Sequence, residues 1–91
     1  MSVTLHLPTV LSRLAENQRA IELPAGTVRE VINGAAKKFP ALAPRIRDDQ
    51  GAPHPFVNIF LNDEDIRFNG GLDASVKDGD EVTLVPAISG G

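Results

Sequence analysis

The feature that most constrains this sequence is a single clearly marked amphipathic helix, flanked by segments that alternate like β-strands. Thr27 followed by Glu30 has the pattern of a capping box, in which each side chain satisfies a free backbone N–H group of the first helical turn. Beyond Thr27, apolar side chains recur at helical spacing and form one stripe: Val28, Val31, Ile32, Ala35, Ala36 and Phe39. Pro40 ends the pattern. The chain therefore has one helix with one apolar face to bury.

Short segments that alternate between apolar and polar residues predict the strands that cover this face. Two precede the helix, at residues 3–7 and 19–23, and predict a hairpin whose connection, residues 11–17, has some helical character. Three segments follow the helix. Residues 56–61 and 81–85 predict strands, and residues 66–68 predict a short strand between them. Glycines, prolines and acidic residues predict the connections, namely turns at 62–65, 69–71 and 77–80, and a loop over 40–55 with a turn of helix around 42–46.

The predicted order is strand, strand, helix, strand, short strand, strand. In a chain of 91 residues, one helix packed across one face of a mixed sheet gives an α+β roll of the ubiquitin type. We expect four to five strands packed on the one main helix. The predicted domain comprises residues 1–86, and residues 87–91 form a flexible carboxyl-terminal tail.

The composition argues against several classes of functional site. The sequence has no cysteine, so it holds no disulfide, thiolate metal site or catalytic thiol. Its net charge of −3 and its scattered Lys and Arg residues argue against nucleic-acid binding, which needs a clustered basic face. No apolar run is long enough to span a membrane, and the amino terminus does not resemble a signal peptide. A cytoplasmic location is expected.

Few side chains show the spacing of a metal or catalytic site. Asp63, Glu64 and Asp65 are adjacent acids in a predicted turn that do not match a calcium-binding loop, so we expect them to be solvated. The two histidines, His6 and His54, have no Ser/His/acid pattern around them, and we expect both to be structural. The side chains therefore predict no metal site and no catalytic residue.

Strand parity predicts a surface that could dock a partner protein. Residues 57, 59 and 61 share one face of their strand, so Phe60 points the other way. Two interpretations remain open: Phe60 is half covered by a neighbouring strand, or it forms with Val85 an exposed apolar patch that docks an activating enzyme. Arginine side chains that could touch an acidic partner surface are Arg67, Arg45 and Arg47.

The chain ends in a short segment that is suited to covalent chemistry. After Pro86 come five residues, Ala87 to Gly91, which in extended form reach about 17 Å. Gly90 and Gly91 have no Cβ, so they fit a narrow channel and adopt backbone angles closed to other residues. The carboxylate of Gly91 is an unhindered acyl group that is inert until a partner activates it.

These residues carry a family resemblance that spans nearly the whole chain. The last fourteen residues, from Asp78 to Gly91, resemble the carboxyl terminus of the MoaD/ThiS sulfur carriers. Residues 56–59, 62–68 and 71–72 resemble the CysO branch in particular, as does the opening at residues 3–4 and 7–9. Ser89 departs from the pattern, since these carriers commonly have a small apolar residue before the diglycine.

The resemblance implies a β-grasp fold and a carrier protein rather than an enzyme. In this family, an adenylating enzyme of the ubiquitin-activating type uses ATP to activate the terminal glycine, here Gly91, which becomes a thiocarboxylate. The carrier itself binds no cofactor. Ile88, Ser89 and Gly90 are implied to be the residues through which partners recognise the tail. In the CysO branch, the sulfur passes to an activated serine on a cysteine synthase, and a metalloprotease then releases the new cysteine.

Other functions fit the same tail and stay open at this point. The chain could be the small subunit of a molybdopterin synthase, in which the sulfur passes to a pterin, or it could serve another sulfur-accepting synthase. It could also be a ubiquitin-like modifier joined to target lysines through Gly91. The remaining alternative is an interaction module with an inert tail.

Overall fold

The chain folds into a mixed β-sheet with one long helix against one face, as seen in a computed structural model that describes residues 2–47, 57–68 and 70–86. Its strands are β1 Ser2–His6, β2 Ala20–Pro24, β3 Gly26–Thr27, β4 Val57–Leu61, β5 Glu64–Asp65, β6 Ser75–Val76 and β7 Glu81–Pro86. Its α-helices are α1 Thr9–Ser12, α2 Val28–Lys38 and α3 Ala43–Ile46. Short 3-10 helices lie at Arg13–Ala15, Pro40–Leu42, Ile66–Phe68 and Gly71–Asp73.

Five strands form the main sheet in the order β2-β1-β7-β4-β5. The central pair, β1 and β7, is parallel, whereas the other neighbours are antiparallel. The predicted amino-terminal hairpin is therefore confirmed, and so is the mixed sheet. A second, two-stranded ladder joins β3 to β6 and was not predicted, since two-residue strands are too short to show alternation.

Helix α2 begins with the predicted capping box. The Thr27 hydroxyl oxygen accepts a hydrogen bond from the Glu30 backbone N–H at 3.2 Å, and the Glu30 carboxylate accepts one from the Thr27 N–H at 2.9 Å. The helix ends at Lys38, just before Phe39 and Pro40. All six residues of the predicted apolar stripe are buried: Val28, Val31, Ile32, Ala35, Ala36 and Phe39.

The core lies between this stripe and the inner face of the main sheet. The sheet residues buried there alternate along each strand: Val3, Leu5, Ile21, Leu23, Ile59, Leu61, Val82 and Leu84. Leu42 and Ile46 add fully buried side chains from the predicted helical turn after α2, which is also confirmed. The helix therefore covers one face of the sheet and leaves the opposite face, called here the outer face, for other roles.

The structure corrects the predicted connection after β4. The turn consists of Asn62 and Asp63, both with positive φ (49° and 73°), which suits a tight hairpin turn, and residues 64–65 then form β5 instead of a turn. Residues 66–68, predicted to be a strand, form a 3-10 helix. The cause is local, because the Asp65 carboxylate accepts a hydrogen bond from the Arg67 backbone N–H at 2.9 Å and bends the chain.

The last strand is one residue longer than predicted. Pro86 was expected to stop it, but Pro86 is its final residue and pairs with Val57 of β4. Within the described residues, β1 pairs with β7 only between residues 81 and 83, so β7 has one neighbour at its end. A proline is tolerated there because the missing N–H is not needed by a second strand.

Candidate functional site

The site predicted from the sequence begins where β7 ends. Strand β7 lies between β1 and β4 in the centre of the sheet, and its final pair is Pro86 with Val57. The four predicted tail residues, Ile88, Ser89, Gly90 and Gly91, lie outside the described residues, so their assignments stay predictions. The structure describes the platform from which this tail departs.

On this platform, Phe60 and Val85 lie on the outer face, as strand parity predicts. Their neighbours along the strands, Ile59 and Leu84, are buried in the core. Phe60 pairs with Thr83, so Phe60 and Val85 occupy diagonal positions on adjacent strands, within reach of one another. Phe60 is half-buried and Val85 is 38% exposed. Phe60 is thus partly covered, as the first interpretation holds, and it lies near an exposed Val85, as the second holds. Its docking role stays a prediction.

Polar residues flank Phe60 on the neighbouring strands of the outer face. Phe60 is in register with Asp65 on one side and Thr83 on the other, and Thr83 is in register with His6. The His6 Nε2 atom lies 2.6 Å from the Glu81 carboxylate, within hydrogen-bond distance at the surface. His54 lies outside the described residues. The outer face thus combines an apolar centre near the tail exit with a polar surround.

The third docking candidate, Arg67, lies at the edge of this face and already contacts an acid of its own chain. Its Nη2 and Nε atoms donate to Asp65 Oδ2 at 2.7 and 3.1 Å. These hydrogen bonds lower the pKa of the Asp65 carboxyl below its usual value and raise the pKa of the Arg67 guanidinium. Arg67 is therefore held in one orientation, although its side chain is 67% exposed.

The sequence analysis overlooked Phe68, which follows Arg67. Its side chain is 86% exposed, the highest value among the exposed large apolar residues of the described chain. The guanidinium carbon of Arg67 lies 5.7 Å from the centre of its ring, within the range of a cation–π contact. The prediction of a strand at 66–68 hid this residue. The Asp65-x-Arg67 spacing, which favours a local turn, was the signal that could have revealed it.

A shallow recess of about 80 Å³ connects these features. It is lined by Val57, Asn58, Ile59, Asp65, Ile66 and Arg67. Val57 is the partner of Pro86, so one end of the recess lies at the tail exit and the other lies at Arg67. The recess therefore runs from the strand position paired with Pro86 to the turn that carries Arg67 and Phe68.

The remaining charged candidates have structural contacts or open solvent around them. Arg47 donates to the Asn33 side-chain oxygen at 2.8 Å, whereas Arg45 is exposed. Asp78 and Asp80 accept backbone hydrogen bonds from Ser2 and Lys77 at 3.0 and 2.8 Å, as turn residues do.

In residues 2–47, 57–68 and 70–86, no group of three or more His, Cys, Asp or Glu side chains is placed to hold a metal ion. The same ranges contain no helix that is long and apolar enough to cross a membrane.

Known proteins share both the sequence and the fold. The model of the ThiS family matches residues 5–91. The sulfur carrier protein CysO of Mycobacterium tuberculosis is 39% identical over 93 aligned positions that cover all of both chains. A chain in the crystal structure of the Amycolatopsis orientalis BexX/CysO complex is 38% identical with a TM-score of 0.87, covering 98% of this chain and 99% of that one. Small archaeal modifier protein 3 of Haloferax volcanii is 31% identical over 65 positions, or 71% of this chain and 70% of that protein.

Proposed function

The chain belongs to the ThiS family, and we propose that it is a sulfur carrier of the CysO type that is charged on the carboxylate of Gly91. The predicted β-grasp fold agrees with the fold of its solved relatives. Like the carriers that it resembles, the protein is a co-substrate of other enzymes and not a catalyst itself.

The observation that carries this proposal is a match that runs to the last residue. The family match ends at Gly91, and the alignment with the mycobacterial carrier covers the whole of both proteins. The aligned region therefore extends over Gly90 and Gly91 as well as the folded domain. Because β7 lies in the centre of the sheet and stays paired with β4 through Pro86, it provides a fixed base from which these last residues can enter a partner.

The chemistry requires a partner, since a carboxylate is a poor electrophile. An adenylating enzyme joins a Gly91 carboxylate oxygen to the α-phosphate of ATP, and pyrophosphate leaves. A sulfide nucleophile then attacks the acyl carbon, AMP leaves, and the terminus becomes a thiocarboxylate. ATP belongs to the partner, and the carrier binds no cofactor. The sequence has no cysteine that could hold the sulfur instead, so the terminus is the group that carries it.

The outer face is the surface that we assign to docking of the adenylating enzyme. Phe60 and Val85 provide apolar area beside the tail exit, where contacts with a partner would orient the tail. The solved relative in a complex with BexX supports the idea that carriers of this kind form defined complexes.

The expected destination of the sulfur is cysteine biosynthesis. A cysteine synthase would take the sulfur onto an activated serine, and a metalloprotease would release the cysteine from the carrier. The name of the mycobacterial relative, CysO, supports this pathway. A stable complex with a large molybdopterin synthase subunit, and no transfer to a cysteine synthase, would contradict it.

Intact-mass measurement tests the carrier function directly. The chain is incubated with ATP, a sulfide source and the adenylating enzyme, with a second carrier as a positive control for that enzyme. The expected result is a mass gain that corresponds to one oxygen replaced by sulfur, which a variant lacking Gly91 does not show. Phe60→Ala should raise the KM for the carrier and leave the maximal rate nearly unchanged. An unmodified mass with an enzyme that charges the control would refute the proposal.

A second candidate function is conjugation to proteins through Gly91. The observation in its favour is the similarity to small archaeal modifier protein 3 over 71% of the chain. Both functions use the same activated terminus, and they differ in whether sulfur or a lysine amine attacks it. Isopeptide-linked products in cells, lost when Gly91 is deleted, would support the modifier function.

A further inference from the structure

We propose that Phe68 and Arg67, the latter positioned by Asp65, form a second docking point for the adenylating enzyme. The corresponding site on that enzyme would be an apolar pocket bordered by a carboxylate. This inference rests on the proposed carrier function and adds a partner surface to it. The docking point is separate from the Phe60–Val85 patch and lies at the β5 edge of the outer face.

The first argument is the exposure of Phe68. A phenylalanine that is 86% exposed leaves almost all of its apolar surface in water, so a partner that covers the ring would gain hydrophobic free energy. Its neighbour Ile66 is buried, so the 3-10 helix is anchored in the core while it presents Phe68 outward. Single aromatic side chains of this kind are frequent anchors of protein interfaces.

The second argument is that Arg67 is prepared for a contact before a partner arrives. Asp65 is only 14% exposed, and it receives hydrogen bonds from the Arg67 backbone N–H, Nε and Nη2. A guanidinium has five N–H groups, and among the described residues the Nη1 group of Arg67 has no hydrogen-bond partner, so it can donate to a second carboxylate. The entropy of ordering this long side chain has been lost already on folding, so less is lost on binding.

The third argument identifies which partner fits. The recess beside Arg67 extends to Val57, which pairs with Pro86 at the start of the tail. An enzyme that receives the tail must cover this exit, and its surface would continue along the recess to the Arg67–Phe68 turn. Its carboxylate would meet the free edge of Arg67, and its apolar pocket would receive the Phe68 ring. We assign the surface to the enzyme that activates Gly91, because under the proposed function this enzyme must receive the tail before any sulfur acceptor does.

Steady-state kinetics of thiocarboxylate formation test this inference. Phe68→Ser should raise the KM for the carrier by about tenfold or more with kcat nearly unchanged, because the chemistry at Gly91 is the same. Phe68→Leu keeps an apolar anchor and should recover most of the loss. Lys37→Ala is the matched control, since Lys37 is exposed on α2, on the opposite side of the sheet, and should have no effect. Thermal unfolding followed by circular dichroism should show no difference among these variants.

A double-mutant cycle separates positioning from direct contact. Asp65→Asn retains an oxygen for the Arg67 backbone N–H but removes the charge that holds the guanidinium. It should raise the KM by roughly threefold to fivefold in the original chain and have no further effect in an Arg67→Ala background. A purely structural role of Asp65 would give the same loss in both backgrounds.

Two outcomes would overturn the inference in distinguishable ways. If the unmodified chain is charged and Phe68→Ser has the same KM, the second docking point is wrong and the carrier function stands. If the unmodified chain is not charged by an enzyme that charges a control carrier, the carrier function is wrong and this inference falls with it. If Phe68→Ser impairs only the later transfer to the acceptor, the assignment to the adenylating enzyme is wrong.

Discussion

Adjacent residues of β7 offer a sharp test of how the strand that carries the tail is anchored. Leu84 is 2% exposed in the core, whereas Val85 is 38% exposed on the outer face. Truncating a buried leucine to alanine costs about 2–5 kcal/mol, because transfer free energy is lost and a cavity remains. A 91-residue domain has a total unfolding free energy of about 5–14 kcal/mol. Leu84→Ala should therefore remove a large fraction of the stability, and Val85→Ala should cost less than about 1 kcal/mol.

Urea unfolding measures both changes on one scale. With an m-value of about 1–2 kcal/mol per molar urea, Leu84→Ala should lower the midpoint by roughly 1–5 M. The transition should be followed by circular dichroism, because the chain has no tryptophan or tyrosine. In charging assays below the unfolding transition, Val85→Ala should show the higher KM, since only Val85 lies on the docking face. Equal losses of stability in the two variants would refute the assignment of opposite faces to Leu84 and Val85.

Three further predictions concern the helix start and the turn before β7. Thr27→Ala removes the hydroxyl cap and should lower the unfolding free energy by about 1 kcal/mol, or the Tm by about 4–8 °C in calorimetry. Thr27→Ser keeps a hydroxyl and should retain most of the stability. An equal loss in the serine variant would contradict the capping argument. Gly79 has a φ of 89° and open space where a Cβ would lie. Gly79→Ala should therefore lower the unfolding free energy in urea by about 1–2 kcal/mol from backbone strain alone. An unchanged unfolding free energy would contradict this. The hydrogen bond from the Lys77 backbone N–H lowers the pKa of Asp80 below its usual 3.8, so its stabilisation is present above about pH 4 and lost as the pH falls through the lowered pKa. Asp80→Asn should therefore flatten the acid side of the stability profile, and an unchanged profile would contradict this assignment.

The candidate site divides into a part that the sequence reveals and a part that it does not. Gly91 could be proposed from the sequence alone, because the proposed chemistry belongs to a terminal carboxylate and needs no neighbouring side chain. Phe60 and Val85 were also placed correctly on the outer face, since alternation along a strand assigns faces without knowledge of its partners. Their diagonal placement on adjacent strands, by contrast, depends on the register between β4 and β7.

Local interactions explain which elements the sequence determined. The capping box joins Thr27 to Glu30, three positions along the chain, and the apolar stripe of α2 repeats within the same helix. Such information is contained in a short window, so the helix and most strand positions were predicted nearly to the residue. The Asp65–Arg67 hydrogen bonds are equally local, but the apolar character of residues 66 and 68 suggested a strand and concealed them.

The tertiary structure decided what depends on residues far apart in the chain. The central parallel pair joins Thr4 to Glu81, and no periodicity in either segment specifies that neighbour. The recess between Val57 and Arg67 also follows from the folded structure, because it is formed where residues 65–67 lie beside β4. The sequence by itself therefore determined the helix and the strand faces, and it is also the basis for the prediction that Gly91 is the reactive terminus. Only the folded sheet determined the surface around the tail, since that surface is built from segments that the chain brings together by non-local pairing.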